Sequence, residues 1–282
     1  ISAETFFKDF NVRLSALHDF ISWGMSLITV LVIWTMALGG KAFAQEAVAN
    51  SPQELTISGK DIVDRGLELL RGVQSSHAVV SMTLWRPTFK RELEVESYHQ
   101  GRDKSFLLVR RPAKEKGTRT LRLGHDIWTY KPDLEQSVKI PFSMMHTSWM
   151  GSDFTYEDMV KLDSFVTEYT HRIISKVADP EKRGEWLVTI ELVPIEGAPV
   201  VWGKVIWSAV VSGNGKEVIP IGEQDYSERD ELIREIALDK IETHDGRRVP
   251  MRMTCLPKKK EGSKTVIDYL EIKFDEQFDN KM

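Results

Sequence analysis

Arg91-Glu-Leu-Glu-Val-Glu-Ser97 alternates between apolar and charged side chains with a period of two. Leu93 and Val95 therefore lie on one face of an extended chain, and the three glutamates lie on the other. A strand with one buried and one solvated face is typical of antiparallel sheets, because parallel strands are usually buried on both faces. The segment predicts a β protein in which one face of the sheet is covered.

The same period of two recurs along the chain on both sides of this segment. Short turns rich in Gly, Pro and Asp separate the predicted strands, and such turns join antiparallel neighbours. Helical spacing is found only after Ser58, which would cap a leading helix, and over 156–162, where Thr155 would cap a short helix. A long strand is predicted over 165–177. Because no helix falls between successive strands, we expect one curved antiparallel sheet of about ten or eleven strands.

The N-terminal segment indicates where the protein works. Residues 21–38 are apolar and uncharged, and the small residues of Ala42-Phe43-Ala44 suit a signal peptidase. We expect residues 1–44 to be an export signal, 45–57 a linker and 58–282 the folded domain. An uncleaved N-terminal anchor is the alternative, because the apolar run is as long as the roughly 18 residues that a membrane span needs. Both interpretations place the domain in the periplasm.

Composition and motifs exclude several classes of function. The formal net charge of −4 argues against a nucleic-acid partner. Cys255 is the only cysteine, so no internal disulfide can form. A phosphate-binding glycine loop, a His-x-x-x-His pair and a nucleophile elbow are all missing from the sequence. Asp153, Glu157 and Asp158 cluster, but the first turn of a helix favours carboxylates there. We therefore predict no enzyme activity, no catalytic residue, no metal and no cofactor.

The sequence features that remain to indicate a function are its apolar residues. The domain is rich in tryptophan and in methionine, whose flexible side chain suits surfaces that fit ligands of variable shape. Inward alternation predicts an apolar cavity lined by Val80, Met82, Leu84, Leu93, Val95, Leu121, Leu123, Trp207, Met251 and Met253. The segment 141–150 is apolar without a strand period, which suits a lid over the concave face of the sheet. The lid candidates are Phe142, Met145, Trp149 and Met150. An ordinary hydrophobic core is the alternative, and a shift of register by one residue would exchange the two faces.

Trp149-Met-Gly-Ser-Asp-Phe-Thr155, with the following Tyr-Glu-Asp-Met-Val160, resembles the signature of the LolA-like outer-membrane lipoprotein-sorting proteins. Gly151, Ser152 and Asp153 form the family motif. Ile127-Trp-Thr-Tyr130 and the segment 241–253 add to the resemblance, which covers about residues 58–276. It implies a mainly β fold, an open antiparallel half-barrel of about eleven strands with a helical lid.

The resemblance also implies a function. Proteins of this kind are periplasmic carriers that shield lipid chains of lipoproteins on the way to the outer membrane. The implied partners are lipoprotein acyl chains or another lipid and an inner-membrane transporter, and we expect a monomer. The alternative is a domain of the same fold that senses lipid or lipoprotein, or that accompanies an exporter. An uncleaved anchor would favour the sensor, and a released soluble domain would favour the carrier.

Overall fold

The computed structural model describes residues 55–179, 182 and 184–278. The predicted export signal (1–44) and the linker as far as residue 54 lie outside the described residues. The described chain contains helix α1 (Gly59–Arg71) and helix α2 (Glu157–Thr167). As predicted, Ser58 caps α1, and its Oγ accepts a hydrogen bond from the Asp61 backbone N at 3.1 Å. Neither helix is long and apolar enough to cross a membrane.

The strands of the described residues form one open sheet. In chain order they are β1 (Ser75–Trp85), β2 (Lys90–Gln100), β3 (Lys104–Arg111), β4 (Arg119–Leu123), β5 (Asp126–Lys131), β6 (Gln136–Ile140), β7 (Tyr169–Ala178), β8 (Glu185–Pro194), β9 (Lys204–Ser212), β10 (Glu217–Tyr226), β11 (Leu232–His244), β12 (Arg247–Pro257) and β13 (Lys264–Phe274). Their spatial order is β6-β5-β4-β3-β2-β1-β13-β12-β11-β10-β9-β8-β7. The chain thus runs outward from β1 to β6, crosses to the far edge at β7, and returns to pair β13 with β1 in antiparallel register. The expected open antiparallel sheet is confirmed.

The segment between β6 and β7, residues 141–168, is called the crossover here. It contains two short 3-10 turns, Phe142–Met144 and Trp149–Gly151, followed by α2. α1 and α2 pack against each other, and both contact the sheet. Helices on one face of a half-buried antiparallel sheet cover the apolar side that the strand alternation creates.

The structure differs from the sequence-based expectation in two elements. The sheet has thirteen strands instead of the expected ten or eleven. The short edge strand β6, with four of its five residues exposed, was not predicted. The strand predicted over 165–177 begins only at Tyr169, because α2 continues to Thr167. Val160, Ser164 and Phe165 keep helical spacing on the buried side of α2. Phe165 packs edge-on against Tyr169 with 5.4 Å between ring centroids.

A close approach of α1 to the sheet depends on Gly66. A Cβ atom at this position would lie 2.6 Å from the ring of Trp207 on β9 and 3.2 Å from Pro220 on β10. The glycine therefore allows α1 to lie directly on Trp207, which is fully buried in the largest hydrophobic cluster. This cluster anchors α1 and fills the part of the sheet face beneath the helix.

Candidate functional site

The sheet has an inner face, which the crossover and α1 cover, and an opposite outer face. The indole Nε1 of Trp149, in the crossover, donates a hydrogen bond to the Thr120 Oγ1 on β4 at 3.0 Å. Thr120 therefore belongs to the inner face, and residues one position away on β4 belong to the outer face. The antiparallel pairing carries this assignment to the neighbouring strands, because directly paired residues share a face.

A cavity of about 170 Å³ lies between the inner face and its cover. The strands contribute Val80, Met82, Val95, Ser97, His99, Ser105, Leu107, Met253, Ile267 and Tyr269 to its walls. The cover contributes Leu70, Trp149, Phe154, Thr155, Asp158, Met159, Lys161 and Leu162. The walls are apolar over most of their extent, with polar groups gathered at His99 and Ser105 and at Asp158 and Lys161.

The structure brings many of the predicted residues together. Four predicted lining residues reach the cavity, and one lid candidate covers it: these are Val80, Met82, Val95, Met253 and Trp149. Leu84 and Leu93 are fully buried on the same face and pack in the cluster that contains Trp149, with the half-buried Met150 against it.

The two other lid candidates lie earlier in the crossover. Met145 is buried against Ile127 and Val160, whereas Phe142 is 55% exposed on its 3-10 turn. Met145 therefore holds the crossover on the sheet, while Phe142 lies at the surface.

Two of the predicted lining residues lie on the wrong face for the cavity. Leu121 and Leu123 alternate with Thr120 and Arg122, and it is Thr120 and Arg122 that are buried. The prediction assigned the leucines to the interior because they are the apolar members of the alternation. They are 37% and 46% exposed and line a separate outer groove of about 570 Å³. The other walls of this groove are Phe106, Arg119, Trp128, Tyr130 and Ser137.

Two further lining candidates lie on the inner face but away from the cavity. Trp207 is buried beneath α1, as described above. Met251 packs in a small cluster with Val249 and Phe274, next to Leu69 of α1. Alternation identified both as buried, but only the path of α1 decides which part of the inner face is filled by the helix.

The predicted family motif, Gly151, Ser152 and Asp153, shapes the crossover and attaches it to the strands. Gly151 has φ +71°, a left-handed conformation that favours glycine. Its carbonyl accepts a hydrogen bond from Arg86 Nη2 at 3.1 Å. Ser152 is fully buried, and its hydroxyl donates to the Trp149 carbonyl at 2.7 Å. Asp153 accepts from Arg86 Nη1 at 2.9 Å and from Thr265 Oγ1 at 2.7 Å. The motif thus ties the crossover to the end of β1 and to β13.

A buried arginine joins α2 to the sheet. Arg234 on β11 donates through Nη1 and Nη2 to both carboxylate oxygens of Asp158, at 2.7 and 2.6 Å. Its Nε donates to Asp225 Oδ2 at 2.6 Å, and Nη1 also donates to the Asp153 carbonyl at 3.0 Å. The guanidinium lies 4.6 Å from the ring centroid of Trp202. One side chain therefore contacts the helix, the motif and a neighbouring strand.

A second cation completes this cluster. Lys161 Nζ lies 3.2 Å from Asp158 and 3.1 Å from Glu223 on β10. Burial raises the pKa of Asp158, but the charges of Arg234 and Lys161 outweigh it and lower that pKa well below its usual range. Glu157, one residue earlier, is fully buried, and its burial together with the charge of Asp158 raises its pKa to about 7.

Sequence reasoning missed the role of these carboxylates. Asp153 and Asp158 were interpreted as residues of a helix start, and Asp158 does accept a hydrogen bond from the Thr155 backbone N at 2.6 Å. Their basic partners Arg86 and Arg234 are remote in sequence, and no spacing rule links them. Among the described residues, no group of three or more His, Cys, Asp or Glu side chains could hold a metal ion.

Comparison with known proteins places these features in a family. A family model described as "Uncharacterized protein" matches residues 101–282. A search of curated proteins finds no match. Among solved structures, a DUF1329 family protein from Desulfovibrio piger has a TM-score of 0.68 at 22% identity, over 79% of this chain and 94% of that chain.

Two further solved structures share the fold. A LolA superfamily protein from Nitrosomonas europaea has a TM-score of 0.64 at 19% identity, over 79% of this chain and 96% of that chain. A Vibrio parahaemolyticus domain assigned to outer membrane lipoprotein sorting has a TM-score of 0.62 at 19% identity, over 77% of this chain and 95% of that chain. The resemblance to the LolA-like proteins is confirmed. The family model matches well over half of the length of this chain. The chain therefore belongs to the family described as "Uncharacterized protein", and it has the fold of the LolA superfamily.

Proposed function

We propose that this protein binds lipid chains between its sheet and its crossover and carries them through the periplasm toward the outer membrane. The observation that carries the proposal is the apolar cavity of about 170 Å³ under the crossover. Apolar burial contributes about 25 cal/mol per Å², so a cavity of this kind favours hydrocarbon without selecting one chain. The cargo that fits the fold best is the acyl part of a lipoprotein.

The size of the cavity requires the cover to move. A cavity of about this volume accommodates a group as large as benzene, so an entire acyl chain needs more room than the closed position provides. The crossover is fastened by polar contacts of Arg86 and Arg234 with its motif and with α2. Water can replace such contacts when the crossover lifts, and a bound chain can replace the apolar contacts of Trp149. A ligand that binds the open position would shift the protein toward it.

The proposal extends to the rest of the chain and to its partners. The carrier unit is the domain 58–282, exported through the signal 1–44 or held by it as an anchor. An inner-membrane transporter would load the lipid, and the protein would work as a monomeric chaperone without catalysis, metal or cofactor. This part of the proposal is supported by the LolA-like fold and by the apolar run at 21–38.

The test is to purify the protein from periplasm and to identify bound lipid by native mass spectrometry and lipid extraction. We expect a copurifying lipid or acylated peptide. Met253→Trp would fill the cavity and lower the amount bound. Leu270→Trp, at a position that is 55% exposed on β13, is the matched control and would leave it unchanged. Repeated recovery of lipid-free protein under gentle conditions would contradict the proposal.

A further inference from the structure

A polar row crosses four strands, and two of its members line the cavity. Ser76 on β1 pairs with His99 on β2, His99 pairs with Ser105 on β3, and Ser105 pairs with Arg122 on β4. Directly paired residues point to the same face of a sheet. His99 and Ser105 line the cavity. The row therefore adds a second polar patch to a mostly apolar wall, besides that of Asp158 and Lys161.

Arg122 is buried in this row without full pairing. Its side chain is 1% exposed. Nε donates to the Gly124 carbonyl at 2.7 Å, and Nη1 donates to the Arg102 carbonyl at 2.8 Å. Nη2 has no hydrogen-bond partner among the described residues, and the Asp163 carboxylate lies 3.8 Å away. A buried donor of a charged group that makes no hydrogen bond is costly, so an acceptor that reached this atom would stabilise it.

Arg71, in the last turn of α1, brings a second buried guanidinium to the same region. Its side chain is 3% exposed, and its Nε also has no partner in the described part of the chain. Nη2 lies 3.7 Å from Asp64, which is paired more closely with Arg102 at 2.7 Å. Three arginines therefore have only two carboxylates at ion-pair distance. Asp64 lies near Arg71 and Arg102, and Asp163 lies near Arg122.

The neutral members of the row add hydrogen-bonding capacity. The Ser105 hydroxyl is buried and unpaired among the described residues. Burial, with the charges of Arg122 and Arg71, lowers the pKa of His99 to about 4, so the imidazole is neutral near pH 7. A neutral imidazole has one N–H donor. His99 and Ser105 therefore bring hydrogen-bonding groups to the cavity wall. The positive charges of Arg122 and Arg71 lie close enough behind them to act on His99.

From this geometry we propose that the cavity takes an amphiphile with an acidic head group, a carboxylate or a phosphate. The head group binds Arg122, Arg71, Ser105 and His99, and the chain lies along Val95, Met82 and their neighbours. An anion supplies the acceptor that the guanidinium nitrogens lack, and charge-assisted hydrogen bonds of this kind are about twice as strong as neutral ones. The inference rests on the proposed lipid binding and adds the chemical class of the ligand.

The first test compares two ligands on the unaltered protein. The affinity of dodecanoic acid is measured against that of its methyl ester by displacement of a fluorescent probe from delipidated protein. We expect the acid to bind roughly tenfold tighter or more, because the ester lacks the charge. Equal affinities would overturn this inference and leave the proposed lipid binding intact. Binding of neither compound would contradict both.

The second test alters the cation. Arg122→Gln and Ser105→Ala should each weaken binding of the acid, Arg122→Gln by roughly tenfold, and leave the ester unchanged. Arg119→Gln is the matched control, because Arg119 lies on the same strand and lines the outer groove instead. Loss of affinity for both ligands in Arg119→Gln, or an unchanged preference in Arg122→Gln, would overturn the assignment.

A third arm separates an amphiphile from a free anion. Acetate and inorganic phosphate have acidic groups but no chain to fill the apolar part of the cavity. We expect neither to displace dodecanoic acid at millimolar concentration. Displacement by inorganic phosphate would show that the polar row binds a small anion. It would overturn the inference that the ligand is an amphiphile.

Discussion

Arg234 on β11 binds the carboxylate of Asp158 on α2 through two hydrogen bonds, of 2.7 and 2.6 Å, in the interior of the protein. The pair connects the middle of the sheet to the helix that covers it. Both side chains are at least nine-tenths buried. Their separation therefore requires the entry of water or the movement of α2, so this contact couples the position of the cover to its hydration.

Removal of one member of this pair should lower the stability of the folded protein. Asp158→Asn leaves Arg234 and Lys161 with less negative charge, and breaking a buried pair costs about 3–5 kcal/mol. We expect the free energy of unfolding in urea to fall by an amount near that range. The control is Glu191→Gln, which breaks a pair with Arg172 whose arginine is 71% exposed. Exposed pairs contribute about 1 kcal/mol or less, so equal losses in the two variants would contradict a structural role for Arg234 and Asp158.

Glu157 should make stability depend on pH. Its pKa is raised from 4.5 to about 7 in the folded protein, by burial and by the charge of Asp158. The folded state therefore holds this proton more tightly than the unfolded state. The stabilisation is fully present below about pH 4.5 and is lost as pH rises through 7, by about 3 kcal/mol in total.

The measurement for Glu157 is a set of urea unfolding curves between pH 4.5 and 8. Glu157→Gln keeps the shape of the side chain without the charge, so its stability should exceed that of the unaltered protein increasingly as pH rises. Glu261→Gln, on the exposed turn between β12 and β13, is the control and should follow the unaltered protein. A constant difference between Glu157→Gln and the unaltered protein across this range would refute the role of Glu157.

The hydrogen bond from Trp149 to Thr120 should hold the crossover down. Thr120→Val keeps the shape of the side chain but leaves the buried indole N–H unpaired, at a cost of about 1–3 kcal/mol. We expect faster amide hydrogen exchange over residues 141–156, with the strands of the sheet unchanged. Thr170→Val, at an exposed position on β7, serves as the comparison. Unchanged exchange over the crossover would show that this bond does not limit its opening.

The outer position of Leu121 and Leu123 can be tested directly. Leu121→Gln and Leu123→Gln alter a groove on the face opposite the cavity, so the lipid recovered with the protein should not change. Met82→Gln places an amide in the apolar wall of the cavity, so it should reduce the amount of lipid recovered with the protein. If the leucine variants lost lipid and Met82→Gln retained it, the cavity under the crossover would not be the binding site.

Alternation along single strands predicted the antiparallel fold and several of the residues that line the cavity. Leu93 and Val95 alternate with glutamates, and both are buried as expected. The same rule failed at β4, because Thr120 and Arg122 find buried partners and therefore occupy the inner face. An alternation predicts which residues share a face of the sheet. It does not predict which face is covered when the polar residues can also find hydrogen-bond partners in the interior.

Local pattern was sufficient for the antiparallel sheet and for the cap at Ser58. These features depend on interactions between residues that are close in sequence, so the local spacing of residue types predicts them. The pairing of Arg234 with Asp158, the effect of Arg71 and Arg122 on His99, and the part of the inner face that α1 fills through Gly66 arise only after folding. Each joins segments that are remote in sequence, so burial and charge at these positions are set by contacts that no spacing encodes.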